Sequence, residues 1–312
     1  MTTSNRKLTF VDVFHLLFVS VAAIVVLGWI IKLKGGDPLG LLQALMKGLL
    51  AKEAFGRTLD LAGAILIAAC GCLLAAKGKL WNIAAEGQCL IGFACACLAS
   101  KVAGHGFLAI AFALLISVAC GALSGLISLP SNKEDEHPEV ASGLVFNVVV
   151  VLLLAGYQPT SSVRLFPLLQ GDNAPRAAIL LAMFIFITYR YFSRHLALGL
   201  FFRAKLPKEG VNYVALVAGG LCGLAGGVYA LSGHGGLGTT WGPEGLGYLA
   251  FAISFLALGN LWFCLPLLAI FVAAICSGWL PDERAGLTTT ALAICLIGVA
   301  TFLEMRNREG AS

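Results

Sequence analysis

The feature that most constrains this chain is a series of long apolar runs between residues 11 and 304. A helix of about 20 apolar residues is long enough to cross the hydrocarbon core of a bilayer. These runs are continuous rather than alternating, which excludes a transmembrane β-barrel. Breaking residues divide them into about ten segments, at 11–31, 59–76, 83–103, 106–129, 140–156, 175–192, 211–231, 247–260, 261–279 and 287–304.

The composition agrees with a membrane location. Apolar residues make up 59% of the chain and charged residues only 12%, whereas a typical soluble domain carries about 25% charged residues. So few charges cannot cover a water-facing surface, which excludes a soluble globular enzyme. We therefore predict an all-α, polytopic helical membrane protein of about ten transmembrane segments, organised as one transmembrane domain over residues 1–312.

Two segments near the start need separate interpretation. The first run, at 11–31, follows Arg6 and Lys7 but has no small-residue cleavage site after it, so we interpret it as an uncleaved span rather than a signal peptide. Residues 37–58 are apolar at helical spacing but also carry charged residues. This pattern predicts an amphipathic helix lying at the membrane interface.

Charges in the short loops predict the orientation. Basic residues are enriched in cytoplasmic loops of membrane proteins, and the 190–208 loop has no acidic residue but contains Arg190, Arg194, Arg203, Lys205 and Lys208. By contrast, the 280–286 loop carries Asp282 and Glu283 with a single Arg284. We therefore place both termini in the cytoplasm. The net charge of +5 is explained by this orientation signal, and no nucleic-acid partner is expected.

Four polar side chains stand inside the apolar runs, and we take them as candidates for the substrate pathway: Asn82, Glu86, Gln88 and Asn147. A carboxylate within a span is costly and marks a functional site by default. Asn82 and Glu86 are four residues apart, so on one helix they would share a face. A structural role stays open for both Glu86, which could accept N–H bonds at a helix end, and Asn147, which could bind helices together.

Small residues recur every four positions in two runs, Ser117, Gly121 and Gly125 in the first and Gly219, Gly223 and Gly227 in the second. Such spacing lets helix backbones approach closely in lipid, where no hydrophobic force drives association. We therefore predict tight helix packing at these positions. The Gly-rich stretch at 233–248 is too polar to span and is interpreted as an external or re-entrant segment leading into the short 247–260 segment. Broken helices in corresponding halves of transporters often build midplane sites, and 83–103 and 247–260 would be such a pair.

No motif for catalysis or cofactor binding is present. The chain lacks the G-x-x-x-x-G-K-[ST] phosphate loop, H-E-x-x-H and G-x-S-x-G. Its ten cysteines lie in apolar runs, and neither C-x-C pair has a nearby histidine or carboxylate to complete a metal shell. We expect a protein that is not an enzyme and holds no metal or cofactor of its own.

One stretch closely resembles a known family. Residues 82–92 read N-I-A-A-E-G-Q-C-L-I-G, similar to N-I-G-A-E-G-Q-L-L-I-G in permease subunits of ABC importers of the branched-chain amino acid and simple-sugar group. The nucleoside and simple-sugar branch is most similar: Glu139-Val140 with Asn147 resembles its E-V-I-S-T-L-M-L-N, and Arg203-Ala204 resembles the end of its G-L-R-L-R-A. The matches follow chain order from about 58 to 279, although only five residues separate Ala204 from the G-I-N-like Gly210-Val211-Asn212, where the family usually has a longer stretch.

The resemblance implies a multi-pass permease in the cytoplasmic (inner) membrane of a bacterium. A second permease chain, identical or homologous, would complete the pathway, separate ATPase subunits would bind ATP, and an extracytoplasmic solute-binding protein would deliver a nucleoside or simple sugar. The 190–209 loop would couple to the ATPase through Arg203, Lys205, Pro207, Lys208 and Glu209. Two alternatives stay open: an ion- or proton-coupled secondary carrier using Glu86, and a membrane scaffold or receptor that transports nothing.

Overall fold

The computed structural model describes residues 32, 39–78, 80–103, 107–129, 138–155, 177–195, 208–232, 245–257 and 265–279. Within these residues the backbone is helical apart from short turns, a bend at Ala51 and the irregular residues 80–82, and no strand occurs. In chain order the helices are α1 (Leu39–Leu50), α2 (Lys52–Lys77), α3 (Ala85–Ala103), α4 (Phe107–Ile127), α5 (Pro138–Ala155), α6 (Ala177–His195), α7 (Lys208–Leu231), α8 (Leu246–Ala257) and α9 (Leu265–Trp279). The prediction of an all-α chain is confirmed for this part.

Three of the described helices are long and apolar enough to cross a membrane: Phe55–Lys77 within α2, Phe107–Ile127, and Val211–Leu231 within α7. Shorter apolar helices occupy Ala85–Ser100, Glu139–Leu154 and Ile179–Tyr189. Each of the eight segments predicted between 59 and 279 overlaps one of the helices α2–α9. The segments predicted at 11–31 and 287–304 lie outside the described residues, as do both termini, so ten spans and the orientation stay predictions.

The segment at 37–58 differs from the single interfacial helix that its sequence predicts. Ala51 has extended backbone (φ −74°, ψ 122°), so α1 ends before it and residues 52–58 continue into α2. The Thr58 hydroxyl donates a hydrogen bond to the Gly48 carbonyl at 2.9 Å. Because Gly48 has no side chain, its backbone lies directly against Ala274 of α9. Tertiary packing on α2 and α9 therefore holds α1, an interaction that amphipathic spacing cannot reveal.

Helix α7 lies at the centre of the described bundle and contacts α2, α3 and α4. The predicted small residues of α4 face those of α7: a Cβ on Gly121 would lie 2.6 Å from Gly223 Cα, and one on Gly227 would lie 2.6 Å from the Ser117 hydroxyl. A Cβ on Gly125 would overlap the Ala215 carbonyl, and one on Gly219 would overlap the Gly121 carbonyl. Backbone-to-backbone contact along this α4–α7 seam leaves no room for larger side chains.

The outer helices carry an apolar surface. Of the apolar window in α2, 89% is buried inside the protein, against 28% of the window in α4. Helix α5 is similarly exposed, with Val145 and Leu152 both more than 60% accessible. An exposed surface of this kind is normal where lipid surrounds a helix and unusual in water. The polar side chains considered next lie on the opposite, inward side.

Candidate functional site

The candidate residues lie where the chain enters α3. Residues 80–84 are not helical, and α3 begins only at Ala85. Asn82 and Glu86 therefore do not share a helical face as their spacing predicts, because Asn82 precedes the helix. Instead, the Asn82 amide pairs with the Gln88 amide: Asn82 Nδ2 donates to Gln88 Oε1 at 2.9 Å, and Gln88 Nε2 donates to Asn82 Oδ1 at 3.0 Å.

This amide pair also binds the surrounding helices. Asn82 Nδ2 contacts the Cys222 sulfur of α7 at 3.6 Å, and Gln88 Nε2 donates to the Ser128 hydroxyl, just after α4, at 3.4 Å. Both amide side chains are buried. An unpaired amide in an apolar interior carries a desolvation penalty, so the two side chains satisfy each other. The non-helical entry segment is thereby fixed beside the middle of α7.

Glu86 reaches the start of another helix. Its side chain is 3% exposed; Oε1 accepts the Gly245 N–H at 2.7 Å, and Oε2 accepts those of Gly247 at 2.7 Å and Tyr248 at 3.2 Å. The first N–H groups of a helix have no partner within it, and a helix N-terminus carries partial positive charge. Glu86 therefore caps α8 from the first turn of α3. This is the structural role, accepting N–H bonds at a helix end, that the sequence left open for it.

Two glycines make this contact sterically available. Gly245 has φ 85°, a left-handed backbone conformation that residues with a side chain rarely adopt. A Cβ on Gly247 would lie 2.5 Å from the Ala85 carbonyl carbon and would overlap the Glu86 backbone. The N-terminal ends of α3 and α8 thus meet backbone to backbone. The sequence pairs the segments at 83–103 and 247–260 as candidates for broken helices, and the structure brings the starts of their helices, α3 and α8, together.

Asn147 joins three elements from the middle of α5. Its Oδ1 accepts the Gly87 N–H at 2.8 Å, and its Nδ2 donates to the Ile83 carbonyl at 2.9 Å and to the Tyr248 hydroxyl at 3.2 Å. Its side chain is buried. Asn147 thus connects α5 to the entry segment, to α3 and to α8. The four candidates therefore lie around the start of α3 in two hydrogen-bonded groups, Asn82 with Gln88, and Glu86 with Asn147 through Tyr248. We refer to Asn82, Glu86, Gln88 and Asn147 together as the buried polar cluster.

The side chains of the predicted coupling residues lie outside the part of the chain that the structure describes. Arg203, Lys205 and Pro207 lie outside the described residues. Lys208 and Glu209 begin α7, and their side chains also lie outside the described part. Among the residues that the structure describes, no group of three histidine, cysteine or acidic side chains is arranged to hold a metal ion.

Several partners of the cluster were not singled out from the sequence. Tyr248 and Ser128 each contribute a hydroxyl group, and Cys222 contributes a thiol. Serine, cysteine and tyrosine are common in apolar helices, and none of the three belongs to a local motif. The one usable signal was the glycine-rich stretch before α8, whose Gly245 and Gly247 supply two of the N–H groups that Glu86 accepts.

The chain matches no known family model, no curated protein and no solved structure. Sequence and geometry therefore define its class: a helical protein with apolar helices of membrane-spanning length and a buried polar cluster where two helices begin.

Proposed function

We propose that this chain is the membrane-spanning permease subunit of an ATP-driven importer in the cytoplasmic membrane of a bacterium. One observation carries the proposal: the residues on which the resemblance to importer permeases rests, Glu86, Gln88 and Asn147, belong to the buried polar cluster around the start of α3. The apolar helices of membrane-spanning length support it further. The solute is small and polar, a nucleoside or simple sugar, and the full chain has about ten spans with both termini in the cytoplasm.

In this scheme the chain provides the pathway, while ATP binds to separate subunits. A second permease chain, two ATPase subunits and an extracytoplasmic solute-binding protein complete the importer. The 190–209 loop couples the permease to the ATPase. Buried polar groups that hold the starts of α3 and α8 together give the pathway a defined shape, because each helix end is bonded to a specific side chain.

The main alternative is a secondary carrier in which Glu86 binds a proton or ion. Both carboxylate oxygens of Glu86 already accept backbone N–H bonds from the start of α8. A proton- or ion-binding cycle would have to break those bonds at each turnover. The cap geometry therefore favours the importer over the carrier.

The direct test is purification of the tagged chain from its native membrane in mild detergent, followed by mass spectrometry of the associated proteins. We expect an ABC-type ATPase and a solute-binding protein to co-purify, and uptake by the assembly to require ATP. A chain that purifies alone and transports solute in liposomes under an ion gradient would establish the carrier instead.

A second prediction concerns coupling. Arg203→Glu is expected to reduce ATP-driven uptake at least tenfold while the chain still folds, because the reversed charge repels the partner surface that Arg203 contacts. The measurement is ATP-dependent uptake in proteoliposomes containing the whole assembly. Arg194→Glu, in the same basic loop but outside the matched Arg-Ala pair, is the control and is expected to retain most uptake. Unchanged uptake by the Arg203 variant would remove Arg203 from the coupling surface.

A further inference from the structure

Three buried cysteines from three different helices meet beside the buried polar cluster. Cys72 of α2, Cys89 of α3 and Cys222 of α7 are each at most 2% exposed. The thiols of Cys72 and Cys89 are both in hydrogen-bonding contact with the Cys222 sulfur. Asn82 Nδ2 also donates to that sulfur, at 3.6 Å. We refer to Cys72, Cys89 and Cys222 as the thiol cluster, and Cys222 lies at its centre.

The backbones of α3 and α7 touch around Cys89 and Cys222. A Cβ on Gly226, one turn after Cys222, would overlap the Cys89 carbonyl, and a Cβ on Gly92 would overlap the Gly223 backbone. A disulfide needs Cα atoms about 4.4 to 6.8 Å apart. Helices in backbone contact provide such a separation, whereas helices held apart by large side chains do not.

Cys72 is less well placed than Cys89 to join Cys222. On α2 the close approach to Cys222 is made by Gly71, whose Cβ would lie 3.3 Å from Cys222 Sγ. Adjacent residues of a helix point in different directions, so Cys72 does not share the orientation of Gly71. On α3 the residue whose backbone contacts α7 is Cys89 itself.

Cys222 is the cysteine whose surroundings suit a reactive sulfur. The thiolate is the nucleophilic form of cysteine, and a charge in an apolar interior needs hydrogen-bond donors around it. The Asn82 amide and the two neighbouring thiols are such donors. Asn82 also lines a small space of about 10 Å³, enough for about one water molecule. An oxidant that reaches Cys222 from this side has to be close to water in size, as hydrogen peroxide is.

We propose that Cys222 and Cys89 are a peroxide-sensitive dithiol, a site of reversible oxidation whose disulfide joins α7 to α3. The site goes beyond the proposed function and does not depend on it. Cys89 directly follows Gln88, and Cys222 contacts Asn82, so the new bond forms next to the amide pair. Oxidation therefore fixes α3 against α7 at the edge of the buried polar cluster.

The reaction needs one hydrogen peroxide for each disulfide. The Cys222 thiolate attacks a peroxide oxygen, the O–O bond breaks, and a sulfenic acid and hydroxide form. The hydroxide takes up the proton that Cys222 lost, which gives the first water. The Cys89 sulfur then displaces the hydroxyl group from the Cys222 sulfur, and the Cys89 proton leaves with it as the second water. Two thiols lose two electrons, and the peroxide gains them.

Peptide mass spectrometry of the full-length chain in lipid nanodiscs tests the site without any partner subunit. The reduced chain is treated with hydrogen peroxide, the excess is removed with catalase, free thiols are alkylated in denaturant, and the chain is digested without reductant. We expect a cross-linked peptide pair containing Cys89 and Cys222, which dithiothreitol separates.

Thermal unfolding gives a second readout. The disulfide closes the long loop from residue 89 to residue 222, and cross-links that close long loops constrain the unfolded chain most. We expect the thermal midpoint to rise by several degrees after peroxide treatment and to return after reduction.

Single substitutions separate the members of the cluster. Cys89→Ala and Cys222→Ala are each expected to remove the cross-link and the rise in midpoint. Cys70→Ala is the matched control, because Cys70 is equally buried on α2 but lies outside the thiol cluster, and it is expected to retain both. Cys89→Ala provides the test if Cys222→Ala does not fold. The site is overturned if no cross-link forms in the wild type, if Cys222 joins Cys72 instead, or if the midpoint of Cys89→Ala responds to peroxide as the wild type does.

Discussion

Glu86→Gln is expected to lower the free energy of unfolding by about 2 to 4 kcal/mol, since it removes a charge that caps a helix and turns an NH₂ group toward backbone N–H donors. The carboxylate oxygens receive three N–H groups from the start of α8, at 2.7, 2.7 and 3.2 Å. A glutamine amide in the same place has one acceptor oxygen instead of two. The measurement is the thermal midpoint of the purified chain in detergent, with uptake measured in parallel.

A matched control is available on α5. Glu139 also lies in the first turn of its helix but is only partly buried, so Glu139→Gln is expected to change the midpoint little. We expect Glu86→Gln to reduce uptake as well. Normal uptake with a lowered midpoint would show that Glu86 acts only as a cap. Lost uptake with an unchanged midpoint would contradict the cap and indicate direct solute contact.

Gly223→Ala is the second substitution expected to have a large effect. A Cβ at this position would overlap the Ser117 carbonyl and lie 2.7 Å from Gly121 Cα. Both obstacles are backbone atoms that no rotamer change can move, so α4 and α7 have to separate. Overpacking of this kind typically costs about 1 to 3 kcal/mol. The expected result is a lower thermal midpoint with less retained helix on heating, measured by circular dichroism.

Gly220→Ala is the control for that substitution. Gly220 is buried on the same helix, yet its Cβ would meet only side-chain atoms and a carbonyl at 3.5 to 3.6 Å, an ordinary contact distance. We expect the thermal midpoint to fall little or to rise slightly, because alanine is more favourable than glycine in a helix by about 1 kcal/mol. If Gly223→Ala and Gly220→Ala lower the thermal midpoint equally, the close approach of α4 and α7 does not explain why glycine is needed at position 223.

Helices were the most predictable part of this protein. Apolar runs bounded by Gly, Pro and charged residues located eight helical segments between residues 59 and 279, since a backbone without water must satisfy its own polar groups. Spacing of small residues also marked the seam: Ser117, Gly121 and Gly223 meet across it. The spacing could not show which helix each run packs against, because a run of small residues can pack closely against any other helix.

Local spacing failed at the entry to α3. Asn82 and Glu86 have the interval of one helical turn, but Asn82 precedes Ala85, where the helix begins. Its amide instead pairs with the Gln88 amide, because the folded entry segment places the two side chains opposite each other. The single helix predicted at 37–58 was also wrong, because the backbone is extended at Ala51 and divides the segment between α1 and α2. The position of this segment at the membrane interface stays a prediction.

Sequence alone predicted a helical chain with long apolar segments, which is confirmed for the described residues, and it singled out four polar residues that stand inside those segments. Those conclusions need only hydropathy and the energetic penalty of polar groups in apolar surroundings. Tertiary structure decided what each polar residue does: Glu86 caps α8, Asn147 ties α5 to the starts of α3 and α8, and Asn82 pairs with Gln88. Such assignments depend on contacts between residues as many as 162 positions apart, and local sequence contains no information about which distant backbone groups will meet a side chain.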